Sequence, residues 1–165
     1  MRLLAKQDAL QWLVQRGQPT EPVRLAGKYG TRLAATASVG DLLAGRTHSM
    51  ARGLADWLSR AWPEETLVLV VEYGIWASSE NPRVYDLLLR ASGHAASTVD
   101  QHPALLFHKN ERDDLVTLIQ LALISGWGIV AAADHYLGFT LDHDGHFCFL
   151  DDHQAGLDEA VRIVS

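Results

Sequence analysis

The chain has 165 residues, about one ordinary domain, with 48% apolar and 21% charged residues, a balance that excludes disordered and fibrous classes. Fourteen Lys and Arg against twenty Asp and Glu give a net charge of −6, the wrong sign for the counterion release that drives nucleic-acid binding, so no nucleic-acid partner is expected. The imbalance is uneven: residues 113–165 carry one basic residue, Arg162, against nine acidic ones, a surface that serves solubility or attracts a basic partner.

In chain order, residues 8–16 predict a helix, with Asp8 as cap, Leu10, Leu13 and Val14 on one stripe, and Gly17 and Pro19 as stops. Residues 18–25 read as loop. Between 25 and 41, Gly27, Gly30 and Gly40 punctuate short apolar pieces, and 31–37 suits a strand. Residues 49–62 predict a helix burying Met50, Leu54, Trp57, Leu58 and Ala61, with Pro63 beyond.

The run Thr66-Leu67-Val68-Leu69-Val70-Val71-Glu72-Tyr73 is almost continuously apolar and β-branched, the pattern of a strand covered on both faces. Asn81 before Pro82 starts a helix that carries Val84, Leu87, Leu88 and Ala91 inward and closes at Gly93. Another helix begins at Asn110, with Asp113 in an imperfect capping box and Leu115, Leu118, Ile119, Ala122 and Leu123 facing the core, until Gly126.

Residues 129–133, 136–141 and 146–150 read as strands. Asp144-Gly145 marks a hairpin between the last two, because tight turns need positive φ angles that Gly and Asp tolerate. Residues 157–164 predict a closing amphipathic helix. The expected fold is α/β or α+β: a single domain over 1–165, a mixed sheet of at least four strands with a C-terminal antiparallel hairpin, and about four packing helices.

A lone cysteine, Cys148, within His146-Phe147-Cys148-Phe149-Leu150, reads as a buried inert thiol, and one cysteine makes no internal disulfide. Lys6, Gln7 and Asp8 follow Met1-Arg2-Leu3-Leu4-Ala5, which is not a signal-peptide pattern. No stretch approaches the roughly 18 apolar residues of a membrane span. A soluble, cytoplasmic chain with no membrane partner is expected.

Two stretches carry candidate chemistry. In Glu72-Tyr73-Gly74-Ile75-Trp76-Ala77-Ser78-Ser79-Glu80-Asn81-Pro82, Glu72 and Glu80 could form an acid/base pair and Ser78 or Ser79 a nucleophile, though no base or orienting acid accompanies them. The same residues suit a helix start, with Ser79 and Asn81 capping and Trp76 as a core lid. The second stretch is the cluster of Asp134-His135, Asp142-His143-Asp144-Gly145-His146 and Asp151-Asp152-His153. These residues read as solvated hairpin ends, as an acidic docking patch, or as metal ligands, with neither a helical HExxH pair nor the calcium-loop glutamate present. His94, His102 and His108 fall in the loop-rich span between two predicted helices; Trp12, Trp57, Trp62, Trp76 and Trp127 read as core anchors, with partial exposure the alternative for Trp76 and Trp127 beside glycines.

Glu72-Tyr73-Gly74-Ile75-Trp76 with Ser78-Ser79-Glu80-Asn81, followed by Asp113-Asp114-Leu115 and Gly126-Trp127, resembles a group of small uncharacterised bacterial α/β proteins with the same order of segments, over roughly residues 66–150. In that group the later strands end in a short His-Asp motif, whose counterpart here is Leu141-Asp142-His143-Asp144-Gly145-His146. The resemblance implies a fold and a bacterial origin. By analogy, the small acidic α/β plan is similar to the immunity proteins of polymorphic toxins.

The leading expectation is a non-enzymatic binding protein, an immunity protein occluding a cognate toxin or another basic protein, with no cofactor or metal. Asp142, Asp144, Asp151 and Asp152 are the expected electrostatic contacts, and Trp76 and Glu80 a secondary patch. The alternative is a small hydrolase or metal-dependent enzyme using Glu72, Glu80 and the His/Asp cluster. No heptad seam or repeat supports a self-associating scaffold.

Overall fold

The computed structural model describes residues 1–30, 32–39, 45–60, 65–73, 82–94, 96–133 and 137–165. Its elements are β1 (Arg2–Leu4), α1 (Lys6–Gln15), β2 (Gly27–Tyr29), β3 (Arg32–Ser38), α2 (Thr47–Ser59), β4 (Glu65–Glu72), α3 (Pro82–Ala91), β5 (Ala104–His108), α4 (Arg112–Ser125), β6 (Gly128–Ala132), β7 (Gly138–Leu141), β8 (His146–Asp151) and α5 (Gln154–Val164). The eight strands form one sheet in the order β1-β5-β4-β6-β7-β8-β3-β2.

The fold is α/β as expected, and every described pairing is antiparallel. β5 and β6, joined through α4, run in the same direction but flank β4 instead of pairing with each other. A helical crossover therefore adds no parallel ladder here.

β4 is central because its two faces are buried against different layers. Val68 and Val70 join the large core formed with α2, α3, α4 and α5, whereas Leu67 and Leu69 meet Ala9, Trp12 and Leu13 of α1. The period of two thus divides a nearly continuous apolar run between two covers. β8 repeats the pattern. Phe147 and Phe149 enter the large core, while Cys148 and Leu150 face Val23 and Tyr29 of the segment after α1.

Aromatic rings fill the larger core: Phe149 stacks on Phe147 with centroids 5.4 Å apart and meets Trp57 edge-on at 5.6 Å. Each fully buried ring contributes about 1.5–3 kcal/mol of transfer free energy. Trp127 is also fully buried, packed edge-on against Tyr85 at 6.0 Å, a core anchor and not the partly exposed alternative. Its neighbouring glycine ends a helix, where Gly126 takes φ +66°, and the ring turns inward from there.

Several boundaries differ from the sequence reading. α1 starts at Lys6 with Ala5 before it and no side-chain cap, so Asp8 lies in the first turn instead of capping it. Asn110 belongs to a 3-10 turn, Lys109–Glu111, ahead of α4, and Glu111 rather than Asp113 accepts the His108 N–H, at 2.8 Å. The His-rich span holds β5, because Ala104-Leu105-Leu106-Phe107 is a buried strand paired on both sides. α5 begins three residues early, at Gln154. The lead-in to α3 at Asn81 lies outside the described residues.

Candidate functional site

Antiparallel alternation brings the end of β4, the start of β6, the end of β7 and the start of β8 to the same end of the sheet. The β7–β8 hairpin is closed there by Asp142 N–H to His146 O and Gly145 N–H to Asp142 O, both 3.1 Å. Of the predicted turn pair, Gly145 alone takes a positive φ, +80°. Asp144 does not need one, because the three residues between Asp142 and His146 form a longer loop with glycine at the left-handed position.

Asp142 organises this loop from within, being only 6% exposed. Its Oδ1 accepts the backbone N–H groups of Asp144 and His146, each at 3.0 Å, and lies 3.2 Å from His146 Nδ1. Its Oδ2 accepts Nε–H of Arg24 at 2.7 Å, and Nη2–H of the same guanidinium donates to Asp144 Oδ2 at 2.8 Å. Burial pushes the Asp142 carboxyl up. The His146 N–H and then Arg24 outweigh that and hold it below its ordinary value.

Glu72 reaches the same loop from β4. Its Oε2 lies 3.1 Å from His143 Nδ1 and accepts the His143 backbone N–H at 3.3 Å. Gly128 makes room, since a Cβ there would stand 2.4 Å from that oxygen. The bond to Glu72 raises the His143 imidazole above its ordinary value, against slight desolvation and aided by Asp144 and Asp142. The base of the Glu72–Pro82 stretch and the His/Asp cluster therefore do meet in space.

Asp151 ends six-residue β8 and Asp152 follows it, about 17–20 Å from His146 at ~3.3 Å per residue. Asp151 is 5% exposed, and its Oδ1 accepts the His153 N–H at 2.9 Å, setting up the first turn of α5. Of the four carboxylates expected at the surface, Asp144 and Asp152 are exposed while Asp142 and Asp151 are buried. The four do not form one patch. Trp76, Glu80, Ser78, Ser79, Asp134 and His135 lie outside the described residues.

Asp142, Asp144 and His146 offer three ligand atoms within 4.8 Å of one another, a set able to hold a divalent cation. The Arg24 guanidinium already lies against both carboxylates, so an ion would have to displace it. Arg24 was not singled out by the sequence, because nothing in a loop arginine indicates a partner 118 residues away. Cys148 is a buried thiol donating to Leu25 O at 3.2 Å, and burial pushes it up, away from thiolate chemistry.

Among the described residues, no helix is long and apolar enough to cross a membrane. No protein family, curated protein or solved structure matches this chain.

Proposed function

We propose that the chain is a non-enzymatic protein-binding module, an immunity protein that docks a cognate bacterial toxin or another basic protein in the cytoplasm. The observation that supports this reading is the exposure of Asp113, Asp114, Asp144, Asp152 and Asp158 in a C-terminal third whose one basic residue is Arg162. A field of one sign speeds encounter with a basic surface and suppresses wrong partners. The pairing of Glu72 with His143 and of Arg24 with Asp142 fixes the loop that carries Asp144. A contact ordered in advance loses less entropy on binding.

The test is isothermal titration of the purified chain with the toxin encoded in the neighbouring reading frame. A complex of sub-micromolar affinity is expected, weakened at least about tenfold by combined Asp144→Lys and Asp152→Lys. No complex at micromolar concentration removes the reading.

A second reading, a metal-dependent hydrolase using Glu72, Glu80 and the His/Asp cluster, is favoured by the convergence of Asp142, Asp144 and His146. Stoichiometric zinc or manganese retained through purification, and lost in His146→Ala, would select it. Thermal stability unchanged by added ions would remove it.

A further inference from the structure

Residues 18–26 join α1 to β2 by crossing over β7 and β8, and among the described residues 19–26 make no backbone–backbone hydrogen bond. Side chains fasten the segment instead. Gln18 Nε2–H donates to Leu137 O at 3.2 Å, and Gly138 leaves room for it, since a Cβ there would stand 2.6 Å from Gln18 Oε1. The Thr140 hydroxyl accepts the Val23 N–H at 3.1 Å and donates to Val23 O at 3.4 Å. Cys148 donates to Leu25 O, and Arg24 grips Asp142 and Asp144.

We propose that this segment is a strap that opens as a unit with Arg24 as its latch, and that the closed strap withholds Asp142 and Asp144 from a docking partner. The withholding deepens the docking reading and rests on it; the strap itself does not.

Opening breaks no ladder of backbone bonds, and Pro19 and Pro22 have no N–H to strand. Gly17 and Gly27 bracket the strap with φ +61° and +110°, conformations that a glycine hinge leaves and regains at little cost. Beneath the strap lies a small apolar cluster, Ala34, Cys148 and Leu150 with Val23 and Tyr29 against it, separate from the large core on the other face of the sheet. So few buried contacts close a lid without making it as stable as the core.

Arg24 is the strongest fastening and also the one that solvent reaches. Its guanidinium bridges two carboxylates at 2.7 and 2.8 Å, yet Arg24 and Asp144 are both exposed, so salt and competing cations act on the pair. Departure of Arg24 leaves the β7–β8 loop formed, because Asp142 Oδ1 keeps the N–H groups of Asp144 and His146, and Glu72 keeps His143. What changes is charge. Arg24 occupies, from within the chain, the place that a basic partner's cation would take.

Cys148, the single cysteine and fully buried, reports opening, because its thiol reacts with iodoacetamide only after reaching water. Arg24→Gln is expected to speed labelling of the full-length chain at least about tenfold, with amide exchange in β4 unchanged. Raising NaCl from about 20 to 500 mM should speed labelling of the unaltered chain and leave Arg24→Gln flat. Thr140→Val removes the Val23 clamp, is expected to speed labelling at least about threefold, and serves should Arg24→Gln fail to fold. Against the toxin of the neighbouring reading frame, Arg24→Gln is expected to bind at least about threefold more tightly.

Unchanged labelling in a folded Arg24→Gln or Thr140→Val chain, or β4 exchange that accelerates in step with the thiol, overturns the strap. A rate indifferent to salt in the unaltered chain removes Arg24 as its latch. Fast labelling with toxin affinity unchanged or weakened removes the withholding. Fast labelling without any toxin complex sinks the docking reading and leaves the strap standing.

Discussion

Glu72 and His143, 71 residues apart in sequence, meet through a single carboxylate oxygen that takes both the backbone N–H and the ring of the histidine. The contact ties the end of β4 to the β7–β8 hairpin across β6, the strand that separates them in the sheet. Because Gly128 of β6 lies beneath Glu72, the ion pair spans a strand with no side chain in the way.

This pair makes stability depend on pH in a defined direction. The folded His143 is raised above 6.5 by Glu72, so its contribution is fully present below about 6.5 and is lost as pH rises through the higher folded value. Melting temperatures measured from about pH 5.5 to 8.5 should show this decline. Glu72→Gln should lower the melting temperature at the acidic end and flatten the slope; an unchanged slope would mean that the pair carries no linkage.

Asp142 acts in the opposite sense, its folded value being depressed. Its contribution is present above about 3.8 and disappears as pH falls through the lower folded value. Asp142→Ala strands the N–H groups of Asp144 and His146 together with Arg24. Urea unfolding at neutral pH should show a loss of about 2–4 kcal/mol, with a smaller loss for Asp142→Asn, which keeps an acceptor.

At the other end of β8, Gly156→Ala drives a methyl group into Asp151 Oδ2. A loss of about 1–3 kcal/mol is expected. Asp151→Ala removes the clashing oxygen, so the double variant should be more stable than the two single losses added together. A double-mutant cycle by chemical denaturation measures that coupling, expected at about 0.5–3 kcal/mol, and strict additivity would contradict the close approach.

Phe149→Ala removes the ring shared by Trp57, Phe139 and Phe147. Calorimetry should report about 3–5 kcal/mol of lost stability, since the cavity cannot collapse between a sheet and two helices. The same truncation at Leu87, 60% exposed on α3, should cost well under about 1 kcal/mol.

The sequence by itself determined the elements whose signal is local. β4 follows from an apolar β-branched run, α4 from a periodic stripe ended by Gly126, and the hairpin from Asp144-Gly145. Each depends on backbone sterics and burial pattern within a few residues. The short edge strands β1 and β2 carry no such signal, because three residues show neither periodicity nor a run. Tertiary structure alone decided what the acidic residues do. Asp142 and Asp144 read alike in sequence, yet one is buried and the other 45% exposed. The difference comes from Arg24 and the hairpin amides converging on Asp142, and a carboxylate can leave water only where such donors replace the hydration it gives up.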